Sequence, residues 1–96
     1  MNIGDVIASI RRRKRIDQKI FAELINTSPS YLSQIENNRK KPSIKLLKVI
    51  AEKLQVPLSI LIYATLEEKY FPDEKGKELF NTVKPIMEEL IEMLDS

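Results

Sequence analysis

The sequence predicts an all-α fold: five short helices around one core, followed by an amphipathic carboxyl-terminal helix. Three observations predict it. Apolar residues recur three and four apart along most of the chain. Side chains suited to helix starts stand just ahead of those runs. Asparagines, which tolerate the left-handed backbone, stand where the runs stop.

Asn2 is placed to cap a first helix carrying Ile3, Val6, Ile7 and Ile10 on one side, with Asp5 in the favourable first turn. Its basic end, residues 11–15, suits the negative end of the helix dipole. Asp17 is a good N-cap for a second helix with the apolar stripe Ile20, Phe21, Leu24 and Ile25. Asn26 follows, then Ser28 as N-cap with Pro29 at the first helical position. The third helix turns Leu32 and Ile35 inward and stops at Asn37 and Asn38. Pro42 and Ser43 open a fourth, with Ile44, Leu47, Ile50, Ala51 and Leu54 inward; Pro57 opens a short apolar fifth over residues 58–64. These make a domain over residues 1–65, a polar linker over 66–75 and a helical segment over 76–96. In the last, Leu79, Val83, Ile86, Leu90 and Met93 alternate four and three apart, the spacing of a coiled-coil seam. Phe80, Met87, Ile91 and Leu94 widen that stripe, and Pro85 is expected to kink or divide the helix.

Composition narrows the function classes. The chain has no cysteine and no histidine, which removes disulfides, thiolate metal sites and the usual general base. No enzyme, metal or other cofactor is expected. The longest mostly apolar run, residues 56–66, is far short of the roughly 20 needed to span a bilayer. The amino terminus lacks the order of a secretory signal, so the cytoplasm is the expected location. Charge is unevenly spread. Residues 1–53 hold 12 Lys/Arg against 5 Asp/Glu, and residues 54–96 hold 4 against 9. A basic half joined to an acidic half suggests a polyanion-binding face and a separate assembling segment.

The third helix shows where such a face lies. At about 100° per residue, Leu32 and Ile35 define its buried side, and Ser30, Gln34 and Asn37 fall opposite, with Tyr31 and Ser33 on the flanks. The outward side is short, polar and uncharged, which suits base edges better than the lysines and glutamates of a solvated helix.

Residues 18–25 (QKIFAELI) and 28–43 (SPSYLSQIENNRKKPS) resemble the Cro/phage-repressor-type helix-turn-helix, the Xre family, and the resemblance extends over about residues 3–64. It implies a five-helix lambda-repressor-like domain, in a regulator whose third helix enters the major groove of double-stranded DNA. It implies base reading by Pro29, Ser30, Ser33 and Gln34, with Pro29 offering apolar contact only. Phosphate contacts are implied for Gln18, Asn37, Arg39 and Lys40; Ser28 is a further candidate, and Tyr31 is open between bonding a phosphate through its hydroxyl and packing its ring beside the helix. The family's buried salt bridge falls on Arg11 and Glu36. Asn38 replaces the glycine usual in the family.

The carboxyl-terminal stripe is expected to join two copies into a homodimer on a palindromic operator, through Leu79, Val83, Ile86, Leu90 and Met93. It has two rivals: the helix folds back on its own core, or it binds a regulatory partner protein, as in an antitoxin or an interaction module. The run Arg12, Arg13, Lys14 and Arg15 is open between phosphate contact and a solvated helix end.

Overall fold

The computed structural model describes residues 2–63 and 73–94, without the side chains of Leu90, Ile91 and Leu94. Most of the linker, residues 66–72, lies outside the described residues, as does Ala64 at the expected end of the fifth helix.

Six helices form among the described residues: α1 (Ile3–Arg13), α2 (Gln18–Leu24), α3 (Pro29–Glu36), α4 (Ile44–Leu54), α5 (Leu58–Tyr63) and α6 (Glu74–Leu94). No strand occurs among the described residues. The starts follow local chemistry. Asp17 accepts from the Lys19 amide at 3.1 Å, Ser28 from that of Tyr31 at 3.0 Å, and Ser43 from that of Leu46 at 3.1 Å. Asp73 does the same for α6, its Oδ1 accepting from the Gly76 amide at 2.6 Å. Each bond satisfies a donor that the first turn would otherwise orphan. Asn2 takes the N-cap position of α1, but its side chain makes no capping bond.

The ends share one design. Arg15, Asn26, Asn38 and Gln55 all have φ between 57° and 60°, and none is glycine. The residue after each folds its amide back onto the preceding helix: Ile16 to the Arg11 carbonyl, Thr27 to Ala22, Arg39 to Gln34 and Val56 to Ala51. This is the Schellman closure of orphaned carbonyls. Asn26 and Asn38 were expected there; Arg15 and Gln55 were not. Their successors, Ile16 and Val56, pack on or within the core, so the chain must turn sharply inward at both places.

Left-handed backbone costs a side-chain-bearing residue about 1–2 kcal/mol, and glycine's extra chain entropy returns about 0.5–1 of that. Gln55→Gly is therefore expected to raise the unfolding free energy by about 0.5–1 kcal/mol, read by urea denaturation. A loss of stability there would mean that the left-handed turn is not populated.

One core joins α1 to α5, with Ile7, Ile10, Phe21, Leu32, Ile50 and Leu54 essentially sealed from solvent. Three expected core residues lie outside it. Ile20 is 55% and Leu24 47% exposed, because α2 buries the arc of Phe21, Ala22 and Ile25, and those two lie about 100° and 60° outside it. Ile44, 58% exposed, has the right phase but stands on the first turn of α4, beyond where the core ends.

α6 runs as one helix through Pro85, so the expected division does not occur. Pro85 and Asn81 are both exposed, so water can serve the Asn81 carbonyl left without a donor. α6 leans on α1 and α5, and Met87 packs against their core. Phe80 and Val83 are half-buried, whereas Leu79, Ile86 and Met93 are exposed. The side chain of Leu90, fourth member of the expected seam, lies outside the described residues. Among the described residues, no helix is long and apolar enough to cross a membrane, and no acidic cluster forms a metal-binding group.

Candidate nucleic-acid interface

Three ties, one to α2 and two to α1, hold α3 in place. α2 lies against it, joined by the short turn at Ile25, Asn26 and Thr27. Ala22 is fully buried, and so small a side chain lets two helices cross closely.

The second neighbour is α1, tied to α3 by an ion pair. Arg11 Nε donates to Glu36 Oε2 at 2.7 Å and its Nη2 to Oε1 at 2.9 Å. The two side chains are only 10% and 4% exposed. Arg11 Nη1 also donates to the Ile16 carbonyl at 2.8 Å, fastening the turn after α1. Gln18 Nε2 donates to Glu36 Oε1 at 2.9 Å. The buried carboxylate thus receives three hydrogen bonds and links the start of α2 to α1 and α3. Such saturation is what a charge removed from water requires.

The third tie is a clasp that sequence reasoning missed. Asn38, at the left-handed end of α3, accepts from the Gly4 amide through Oδ1 at 2.9 Å and donates through Nδ2 to Asp5 Oδ1 at 3.0 Å. It fixes the start of α1 against the end of α3. The approach is so close that a Cβ on Gly4 would lie 2.1 Å from the Ile35 carbonyl oxygen and 2.5 Å from Asn38 Oδ1. Gly4 itself was the available signal, being a helix-weakening residue inside a first turn where no cap needs it.

Held this way, α3 shows solvent the side expected of it. Pro29 and Ser30 are exposed, Ser33 and Gln34 half-exposed, and Leu32, Ile35 and Glu36 buried. Arg39 and Lys40 follow directly and are exposed, their amides turned back to the Gln34 carbonyl at 2.8 and 3.3 Å. Exposed Lys19 stands on the first turn of α2.

Several expected phosphate contacts already have partners. Gln18 has given one amide hydrogen to Glu36 and keeps the other. Ser28 Oγ accepts the capping bond and keeps its own hydrogen to donate. Asn37 turns Nδ2 onto the Ser33 carbonyl at 2.8 Å and its Oγ at 3.3 Å, so a new acceptor must displace the weaker bond. Tyr31 packs its ring against the core. Chemically, the face offers uncharged donors and acceptors for base edges, with cations following it for phosphates.

A helix-turn-helix family profile matches residues 7–61, which reaches from α1 into α5. The chain is 30% identical over 94 residues to the immunity repressor protein of Bacillus phage phi105, an alignment covering 94% of this chain and 65% of that one. It is 37% identical over 60 residues to the transcriptional regulator ClgR of Mycobacterium tuberculosis, covering 62% of this chain and 54% of that protein. A 10 kDa protein of the ImmF control region of phage phi105 is 37% identical over 59 residues, covering 62% of this chain and 66% of its own. The chain therefore spans between about half and two thirds of the length of these relatives. No solved structure matches it. With the α2–turn–α3 unit at the centre of the matched stretch, the chain belongs to the helix-turn-helix family, in its phage-repressor-type branch.

Proposed function

We propose that this chain regulates transcription, as a repressor, by binding double-stranded DNA sequence-specifically with α3 in the major groove. Two copies would bind one two-fold-symmetric operator, their α3 helices about one DNA turn apart, ~34 Å. One observation carries the reading: α3 is buried on its charged and apolar side, through Glu36, Leu32 and Ile35, and presents an uncharged hydrogen-bonding side outward. In this reading Ser30, Ser33 and Gln34 read bases and Pro29 makes apolar contact. Gln18, Ser28, Tyr31, Asn37, Arg39 and Lys40 set the register on the phosphates. The names of the phage and mycobacterial relatives support regulation, and that of the immunity repressor supports its sign.

Selection of bound sequences from a random duplex pool tests the whole proposal. A palindromic consensus is the expected result; no enrichment, with no salt-sensitive binding at low ionic strength, would leave a protein-interaction module in its place.

Two substitutions test the roles. Gln34→Ala is expected to relax preference at one or two base positions by roughly 1–3 kcal/mol each, measured by repeating the selection. An unchanged consensus removes Gln34 from the readers. Lys40→Ala is expected to weaken all sequences alike and to shallow the slope of log affinity against log salt by about one unit. An unchanged slope takes Lys40 off the backbone.

A further inference from the structure

The turn between α1 and α2 holds a residue that the fold itself disfavours. Arg15 has φ 58°, in the left-handed region where glycine or asparagine costs least. The chain uses asparagine at the corresponding ends of α2 and α3, Asn26 and Asn38, but arginine here. Charge makes the choice worse. Arg11, Arg12 and Arg13 already fill the last turn of α1, where cations complement the helix dipole, and Lys14 is its C-cap. Arg15 stands beyond that turn beside like charges, with no acidic residue between Asp5 and Asp17. It is exposed, and its side chain makes no hydrogen bond or ion pair among the described residues.

The turn is also pinned to the elements of the interface. Ile16 packs on the core, its amide donating to the Arg11 carbonyl at 3.1 Å and its carbonyl accepting from Arg11 Nη1 at 2.8 Å. Arg11 in turn holds Glu36, the carboxylate that also takes the Gln18 amide. Arg15 therefore projects from a rigid turn three residues before Gln18. At most about 11 Å of chain separates their Cα atoms.

We infer that Arg15 binds a phosphate of the DNA backbone beside the one that Gln18 bonds. This rests on the DNA-binding reading above and adds a contact to it. Backbone strain held at an exposed residue with no use inside the fold is the pattern of a binding position. A guanidinium suits the partner, since its forked donors match phosphate oxygens. The cations of residues 11–14 need no such explanation, because the end of α1 gives them a role.

Gln55 supplies the control, having the same backbone conformation and no charge. Arg15→Gly and Gln55→Gly are each expected to unfold in urea at a higher midpoint than wild type. On duplex DNA they should part. Arg15→Gly is expected to weaken selected and unrelated duplexes by the same factor and to leave the selected consensus unchanged. It should also shallow the slope of log affinity against log salt by about 0.9. Gln55→Gly, Arg15→Lys and Lys53→Ala, which removes an exposed cation from the end of α4, should keep the wild-type slope. A wild-type slope in Arg15→Gly overturns the inference. So does an equal loss in Lys53→Ala, which would reduce the effect to net charge. A lowered urea midpoint for Arg15→Gly would reveal a structural use for the side chain and overturn it too. In each case salt-sensitive binding by the wild-type chain keeps the DNA-binding reading; its absence would sink both.

Discussion

Gly4→Ala is expected to lower the unfolding free energy by about 3 kcal/mol, the upper part of the usual range for overpacking. At roughly 4–8 °C per kcal/mol for a domain of this size, that is a fall in Tm of about 12–24 °C. Propensity alone points the other way, since glycine to alanine inside a helix ordinarily stabilises by about 1 kcal/mol. The sign reverses because the new methyl group would lie 2.1 Å from a main-chain oxygen, that of Ile35, which no rotamer change can move. α1 and α3 would have to part, weakening the Gly4–Asn38 bond in the process. Asn38→Gly separates the two effects, because it removes the clasp without adding bulk and keeps the left-handed turn; it should cost about 1–2 kcal/mol, as for a lost hydrogen bond with a donor left unmet. If Gly4→Ala unfolds in urea at the wild-type midpoint, α1 and α3 do not approach as closely as described.

The second large effect belongs to the ion pair. Glu36→Leu leaves the Arg11 guanidinium buried with only the Ile16 carbonyl for company, and should cost about 3–5 kcal/mol. Arg11→Met should cost a similar amount by stranding the carboxylate. The double variant should be markedly more stable than the sum of the two losses, since an apolar pair of like volume can replace a buried ion pair at little cost. Strict additivity in urea denaturation would show that the two groups are not coupled. The double variant also separates folding from binding. Gln18 would lose the acceptor that aims its amide, so affinity for duplex DNA should stay reduced after the fold has recovered.

Helix starts were legible in the sequence because their signal is local. Asp17, Ser28 and Ser43 each meet an amide two or three residues ahead, and nothing distant alters that bond. Helix ends were half legible. Asn26 and Asn38 advertise a left-handed turn by residue type, but Arg15 and Gln55 are good helix formers, and only the pull of Ile16 and Val56 into the core stops the helix there. Periodicity overstated α2, because Ile20 and Leu24 fit an apolar stripe on a helix too short to bury more than one arc. The outward face of α3 followed from two buried residues and helical geometry. The Arg11–Glu36 pair came from family resemblance instead, and the Gln18–Glu36 bond from neither, since it depends on how α2 meets α3. Likewise the apolar residues of α6 form a single stripe on paper, and only the neighbouring α1 and α5 divide them between two sides.

The four left-handed joints bear on how the chain folds. Arginine and glutamine favour continued helix, so a peptide cut to contain α1 or α4 alone has little reason to stop at residue 15 or 55 and would run on toward Asp17 or Pro57. Those boundaries are settled by docking against the core rather than by the segment itself. The angle at which α4 meets α5 is therefore a property of the assembled core, and a core substitution near Val56 would change the length of a helix as well as its packing.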